Sequence, residues 1–344
     1  MLRPRNHSAL NKDAIYPVYA VILNWNLPED TIQCVESVQE ALSAIDEFEG
    51  SLATLPKDAS VAPQYDDQAQ SQIEQSRIVV VDNGSDDDSV VRLQKRFGDS
   101  ITVLTNPVNV GFAGGVNTGI AWSLEQGAQS VLVLNNDTIV DREMIAHLVS
   151  VAARNPRAGI VGPVIYYYDE PDRIWRFADR ESGWLPLPRR VPDRVVKEAG
   201  GVPFRTDYVT ACGMLVRREV FEAIGLFDTR YFMYFEDADF CRRARDAGYE
   251  IWCAPKARMW HKVSLSAQKA RPVTQYAQAW GRIQFYRQHF HGFSRLLAFA
   301  YLLGRSVTAT LRHMMSREWE LIGPSWAGFV DGQLDRLPRL SDYV

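Results

Sequence analysis

The sequence predicts an α/β chain in which a mostly parallel central sheet is flanked by helices and followed by C-terminal helices. Three observations predict it. Short, continuous apolar runs rich in Val, Ile and Leu alternate with helix-length amphipathic stretches as far as Tyr168. Polar motifs stand directly after those runs, at the strand ends where open α/β sheets bind ligands. Beyond Tyr168 the rhythm gives way to short, Gly- and Pro-containing segments, and then to helical patterns near the C-terminus.

In order, residues 1–16 are polar and predict a flexible N-terminus. Val18–Leu23 is a buried strand, and Pro28-Glu29-Asp30-Thr31 opens an amphipathic helix running to Phe48. Gly50–Gln75 is rich in Ser, Ala, Pro, Gln and Asp without any period, which marks residues 46–76 as a mobile insertion. Arg77–Asp82 is a second strand, followed by a turn and a helix ending near Phe97. Ile101–Thr105, Ser130–Leu134 and Gly159–Tyr166 are further strands, with helices at Phe112–Gln126 and Arg142–Arg154 between them. Trp175–Val191 predicts a hairpin or irregular segment, Val209–Val216 a strand, Arg218–Ile224 and Glu236–Ala247 helices, and Ile251–His261 an extended segment. Two helices, Thr274–Phe290 and Ser294–Met315, close the chain. The expected division is a domain at 17–265 and a helical region at 266–344.

The 344 residues are 46% hydrophobic and 23% charged, an ordinary globular composition. A net charge of −4 argues against a nucleic-acid partner. The charge is uneven: Lys256–Val344 holds 13 Lys/Arg against 5 Asp/Glu, while Asp46–Ser76 holds 7 Asp/Glu against 1 Lys. A basic C-terminal region suits a solvated face or an anionic surface. Cys34, Cys212, Cys241 and Cys253 form no CxxC pair and fit no zinc spacing, so they read as reduced thiols of a cytoplasmic protein. No run of 18 apolar residues predicts a membrane span.

The richest stretch is Tyr234-Phe235-Glu236-Asp237-Ala238-Asp239-Phe240, three carboxylates wedged between aromatics. Carboxylates in a partly closed pocket serve a metal, a proton transfer or a cation partner. At a helix start they also act as simple caps. Spacing places Glu236 near Asp239 and turns Asp237 elsewhere, with Arg242 and Arg243 as partners for Asp239. Asp82-Asn83-Gly84-Ser85 follows a strand. It suits either a tight turn or a carboxylate facing a nucleotide. Asn109–Gly119 leads into a helix with Gly111, Gly114 and Asn117; glycines there suit a diphosphate or close packing on the sheet. Leu134-Asn135-Asn136-Asp137 ends an apolar strand in a carboxylate, which fits a divalent cation shared with substrate phosphates or a helix cap. Trp260-His261 ends an extended segment, and its meaning depends on residues distant in sequence.

Together and in order, these motifs resemble family 2 of the inverting glycosyltransferases, which have the GT-A fold, and most nearly its rhamnosyltransferase-like branch. The resemblance rests on Val21–Asn26, Val81–Asp86, Asn109–Gly119, Leu134–Thr138, Ala211–Arg217, Gly225–Asp228, Phe232–Phe240 and Trp260-His261, across residues 18–262. It implies a nucleotide-sugar site at Asn24, Asp82, Asn83, Gly84, Gly111, Gly114, Asn117, Asn136 and Gly213. It implies Asp237 as the catalytic base, with Glu236 second to it. Asp137, His261 and Asn135 would hold a divalent metal, Mg²⁺ or Mn²⁺. Asn135 stands where the family's metal motif has its first Asp, which bears on metal choice and strength. The implied donor is dTDP-rhamnose, then a UDP-sugar, and the implied acceptor is a saccharide or lipid-linked molecule of cell-surface polysaccharide synthesis. Apolar faces dotted with arginines in the last two helices suit a membrane surface, peripheral on the inner face of the plasma membrane. The competing reading is a non-catalytic glycan-binding or scaffold protein of the same fold. A nucleotidyltransferase lacks its basic glycine-rich loop here, and a nicotinamide enzyme lacks GxGxxG.

Overall fold

The computed structural model describes residues 15–45, 77–181, 188–263 and 271–340. The expected insertion at 46–76 lies outside them, as does most of the expected flexible N-terminus. The chain begins with β1 (Val18–Asn24), α1 (Pro28–Ser43), β2 (Arg77–Asn83), α2 (Ser89–Phe97), β3 (Thr102–Asn106), α3 (Gly111–Glu125) and β4 (Ser130–Asn135). Then come a short β5 (Thr138–Val140), α4 (Met144–Arg154) and the long β6 (Ala158–Tyr167). Next are β7 (Ile174–Arg176), β8 (Asp179–Glu181), β9 (Pro188–Arg190), α5 (Arg194–Glu198), β10 (Phe204–Thr206), β11 (Gly213–Arg217) and α6 (Arg218–Ile224). The chain ends with α7 (Glu236–Asp246), β12 (Glu250–His261), α8 (Arg271–His289), α9 (Gly292–Met315) and α10 (Ile322–Gln333).

The strand order of the main sheet is β10-β12-β6-β11-β4-β1-β2-β3. β1 runs parallel to β2 and β4, β2 to β3, and β12 to β6. β11 lies antiparallel between β4 and β6, so the sheet is mixed at its centre. Successive residues of β1 feed two cores: Val18, Ala20 and Ile22 meet α1, α2 and α4, while Tyr19 and Val21 meet α3, α6 and α7. Burial on both faces explains why these strands read as unbroken apolar runs.

Three differences from the sequence reading have physical causes. The strand expected at Val209–Val216 begins only at Gly213, because Thr210–Gly213 turns (Gly213 N–H to Thr210 O, 3.2 Å) and Ala211 N–H points to Asp237 (3.3 Å). β5 was invisible as a three-residue strand; it exists because it pairs with the end of β12. A third C-terminal helix, α10, follows the expected two. Its Gly323, Pro324, Gly328 and Gly332 give it poor helix propensity. Two of those glycines let it press onto α8: a Cβ at Gly328 would stand 2.4 Å from Tyr276 O, and one at Gly332 2.8 Å from Ile283 Cβ. Packing supplies what propensity lacks.

Candidate functional site

The site is built at the C-terminal ends of β1, β2 and β4, where β12 and the start of α7 also arrive. Asn24, the last residue of β1, donates to Asp82 Oδ1 at the end of β2 (2.7 Å) and accepts from Thr31 Oγ1 of α1 (2.6 Å). Thr31 in turn accepts from Asn136 Nδ2 just beyond β4 (2.9 Å). Asp82 also takes Ser85 Oγ (2.6 Å) and Ser85 N–H (3.1 Å). A buried polar chain therefore runs Asp82–Asn24–Thr31–Asn136, with every member hydrogen-bonded, as interior polar groups require. Sequence reasoning missed Thr31 and Ser85. A helix-start Thr and a turn Ser carry no separate signal.

Asp137 follows immediately. Because β5 pairs antiparallel with β12, Thr138 stands opposite His261. This brings Asp137 Oδ1 to 3.0 Å from His261 Nε2, across 124 residues of sequence. Both side chains are buried, and the His261 ring is held edge-on against Trp175 with centroids 4.4 Å apart. His261 Nδ1 meets no hydrogen-bond partner among the described residues. No cluster of three or more His, Cys, Asp or Glu suited to a metal exists among those residues. The pair still fits a hard divalent cation. Mg²⁺ is commonly held by one or two protein groups plus substrate phosphates, and bonds of about 2.1 Å put neighbouring octahedral donors about 3 Å apart. The carboxylate and imidazole already have that separation. Asn135 lies beside them, its backbone N–H bonded to Cys212 O (3.3 Å).

The base candidates enter from α7. Tyr234 and Phe235 both take left-handed backbone angles (φ 66° and 74°) to launch the helix. Each such residue costs about 1–3 kcal/mol, and strain of this kind concentrates at functional sites. Asp237 Oδ2 accepts from Tyr208 OH (2.6 Å) and Ala211 N–H (3.3 Å), while Oδ1 accepts from Ala238 N–H (2.8 Å). Burial, reinforced by the Asp237 charge, pushes the Tyr208 phenol well above its usual range, so it stays a donor. Arg176 lies over the Tyr208 ring at 5.2 Å and pairs with Asp179. A lone Tyr ahead of an apolar run gave no sequence sign of this support.

Glu236 differs from its neighbour. Its Oε2 is buried without a partner, and burial, then the Asp237 charge, raises its pKa well above the usual carboxylate range. The sequence reading that grouped Glu236 with Asp239 is corrected here. Asp239 is fully buried between Arg243 Nε (2.7 Å) and His289 Nε2 of α8 (2.8 Å), and the neighbouring charge that acts on Glu236 is that of Asp237. Arg243 pairs with Asp239 as expected, whereas Arg242 pairs with Asp246 and Glu181. The Ala211–Cys212 turn links the two acidic centres: Ala211 N–H bonds Asp237 Oδ2 (3.3 Å), and Cys212 O accepts from the N–H of Asn135 (3.3 Å), beside Asp137. Burial, then the charges of Asp137, Cys34 and Asp237, raise the Cys212 thiol far above normal.

The Asn109–Gly119 segment, whose sequence suits either a diphosphate or close packing on the sheet, packs closely on the sheet at Gly115 and Gly119. Val110 N–H goes to Asn83 Oδ1 (3.2 Å), Gly111 N–H to Asn109 Oδ1 (2.9 Å) and Phe112 N–H to Phe232 O (2.6 Å). The first N–H groups of α3 are therefore already occupied. Asn83 donates to Asn109 Oδ1 and Gly111 O and so ties this loop to β2. Asn117 is saturated by the Phe227 backbone, through Nδ2 to O (2.8 Å) and N–H to Oδ1 (3.0 Å). Gly84 (φ 72°) and Gly111 (φ 80°) permit backbone approaches that a side chain would block at 2.5 Å. A Cβ on Gly114 would touch Val110 at 2.9 Å, and one on Gly213 would touch Met259 at 2.5 Å. These residues shape and position the site.

A mixed α/β sheet with acidic groups gathered at its strand ends and helices on both faces is the GT-A architecture. It superimposes on a mannosyltransferase from Pyrobaculum calidifontis, solved with GDP-Man and Mn²⁺, at a TM-score of 0.54 and 14% identity, over 94% of this chain and 89% of that one. It matches residues 1–349 of S. aureus TarS at 0.54 and 14%, over 95% and 83%. The family model "Glycosyl transferase family 2" matches residues 63–225. Among curated relatives, a dTDP-rhamnosyl transferase RfbF of Shigella flexneri is 27% identical, over 56% of this chain and 62% of that protein. An N-acetylglucosaminyl-diphospho-decaprenol L-rhamnosyltransferase of Mycobacterium tuberculosis is 28% identical, over 54% and 66%. A low-salt glycan biosynthesis hexosyltransferase Agl10 of Haloferax volcanii is 30% identical, over 51% and 55%. The chain spans less than two thirds of the length of each of these relatives.

Proposed function

We propose that the protein is an inverting glycosyltransferase. It moves a sugar, rhamnose first among candidates, from a nucleoside-diphosphate donor to a saccharide or lipid-linked acceptor during cell-surface polysaccharide synthesis. One observation carries the reading: three acidic groups from distant sequence meet at one sheet edge. Asp82 and Asn136 belong to one polar chain, Asp137 follows Asn136 and bonds His261, and the Ala211–Cys212 turn bonds both Asp237 and Asn135.

In this reading Asp82 and Asn24 face the donor's nucleoside, with Asn83, Gly84, Gly111, Gly114 and Asn117 holding the surrounding loops. Asp137 and His261, with Asn135 beside them, hold Mg²⁺ or Mn²⁺. A bound cation would stabilise the diphosphate charge that grows as the glycosidic bond breaks. Asp237 takes the proton of the attacking acceptor hydroxyl, its Oδ2 fixed by Tyr208 and Ala211 so that the carboxylate is oriented before substrate arrives. Glu236, held protonated, does not compete for that proton. Attack from the face opposite the leaving group inverts the anomeric centre in a single displacement. The relatives named for dTDP-rhamnosyl and lipid-diphosphate rhamnosyl transfer support rhamnose and a lipid-linked acceptor.

Among the described residues no helix is long and apolar enough to cross a membrane. α9 instead exposes Phe293, Leu296, Leu303, Val307, Leu311 and Met314 within about an 80° arc, at about 100° per residue. The helix contains no Asp or Glu. This face suits peripheral contact with the inner side of the plasma membrane by a cytoplasmic enzyme. The reading is tested by offering dTDP-rhamnose and UDP-sugars with Mn²⁺ and a polyprenyl-diphosphate saccharide, and measuring nucleoside diphosphate release. Release from one donor, dependent on acceptor, is expected. No release from any donor would refute the reading.

A further inference from the structure

α8, α9 and α10 enclose a cleft of about 80 Å³ whose lining brings together Arg282, Arg305 and Arg312, with Gln275, Gln278 and Ser325 beside them. None of the three arginines forms an ion pair or hydrogen bond with any described residue. Several other arginines are ion-paired: Arg176 with Asp179, Arg243 with Asp239 and Arg339 with Asp331. Here like charges share a cleft. Burial, then the neighbouring Arg305 charge, lowers Arg282 to about 10. A chain gains nothing from such repulsion unless something anionic relieves it. Guanidinium groups suit phosphate oxygens especially well, because their planar donors engage two oxygens at once.

The cleft also has a defined relation to the site. The Arg282 guanidinium lies over the Phe235 ring at 5.4 Å. Phe235 is the left-handed residue that launches Glu236 and Asp237. Gly281 allows this closeness, since a Cβ there would meet Tyr234 O at 3.0 Å. An anion in the cleft therefore sits on the Asp237 side of the site, apart from the Asp137–His261 pair.

We propose that Arg282, Arg305 and Arg312 form a phosphoryl-anion site that takes the diphosphate of a lipid-linked molecule. The site is defined by three guanidinium groups with no anionic partner among the described residues. Its assignment to the acceptor, with the diphosphate anchored while the acceptor's sugar hydroxyl reaches Asp237, rests on the transfer reading. An anionic bilayer headgroup offers the same chemistry and is separated from the acceptor by the experiment.

The full chain, in EDTA and without nucleotide, is titrated calorimetrically with inorganic diphosphate. Arg305→Gln and Arg312→Gln are exposed substitutions, so their double variant folds, and circular dichroism checks it. Wild type binds, and the double variant binds at least about tenfold more weakly, since each lost charged hydrogen bond is worth a tenfold factor or more. In a second arm, phosphatidylcholine vesicles carry either a polyprenyl diphosphate or phosphatidylglycerol at equal charge. Arginine-dependent flotation with the polyprenyl diphosphate alone supports the acceptor assignment. Arginine-dependent flotation with both supports the anion site and gives it to the bilayer. Absent diphosphate binding in wild type, or binding unchanged in the double variant, overturns the site. Metal-dependent nucleotide binding, measured on the same proteins, stays intact in that case if the transfer reading is right, so the two failures are distinguishable.

Discussion

Glu236 and Asp237 are adjacent in sequence and opposite in surroundings. Asp237 has three hydrogen-bond donors, and Glu236 has a buried oxygen with none. Pairs of acids whose environments differ in this way divide acid and base roles. Asp237→Asn should cut transfer by about 10²–10⁴-fold, the usual worth of a general base, and leave metal-dependent nucleotide binding intact. Glu236→Gln should behave differently. A carboxyl group raised in the folded state keeps its proton longer than in the unfolded chain. It therefore withdraws stability as pH rises from the unfolded value of about 4.3 toward the folded one. Removing it should raise the melting temperature at pH 7 and flatten the pH dependence of stability above pH 4.3; an unchanged pH profile would show that Glu236 is not held protonated. The residues were legible in the sequence as an acidic cluster between aromatics. The resemblance implied Asp237 as base ahead of Glu236, but the residue pattern alone did not separate them, because their surroundings depend on Tyr208 and Ala211, which reach Asp237 only through folding.

Elements were legible where burial imposes a period and obscure where a contact overrides it. β1, β2 and β4 were readable because both faces are covered. α10 was not, because its glycines look like helix breakers until α8 lies against them. The same ambiguity left two readings of α3 open. Gly115 and Gly119 serve approach to the sheet, where a Cβ would meet Leu23 at 2.4 Å and Val21 at 2.5 Å. Gly328→Ala in α10 would set a Cβ 2.4 Å from Tyr276 O, so despite better helix propensity it should destabilise the α8–α10 contact by about 1–3 kcal/mol, read from chemical unfolding. The same contact has an acid limit. Asp331 is buried, which works to raise it, but hydrogen bonds from Arg339 and Tyr276 pull its carboxyl group below the usual value. A depressed carboxylate stabilises the fold above its unfolded value of about 3.9 and loses that contribution as pH falls further. Asp331→Asn should lower stability at pH 7 and narrow its gap from wild type below pH 4.

At the scale of the molecule, the sheet gathers its chemistry at one edge, while α8, α9 and α10 place an arginine cleft beside α7 and an apolar stripe on the outer face of α9. Leu303→Asp with Val307→Asp should abolish flotation with anionic vesicles and leave nucleotide binding unchanged, since burying each of these side chains is worth about 1.5–3 kcal/mol. The sequence showed the sheet, the strand-end motifs and the apolar, arginine-dotted C-terminal helices. The resemblance implied that His261 and Asp137 share a metal site, but the residue pattern alone could not show how they meet, because a three-residue strand pairing joins them. In the proposed function, these strand ends bind a nucleoside diphosphate through a cation that Asp137 and His261 would hold. The most direct measurement is thermal unfolding of the whole chain with a panel of nucleoside diphosphates, with and without Mn²⁺, in wild type and Asp137→Asn. Binding at a hundredfold excess over Kd adds about 2.7 kcal/mol of apparent stability. The account predicts a metal-dependent rise for one nucleotide, dTDP first, that disappears in Asp137→Asn. A folded wild-type protein that no nucleotide stabilises, or whose stabilisation survives Asp137→Asn unchanged, would contradict it.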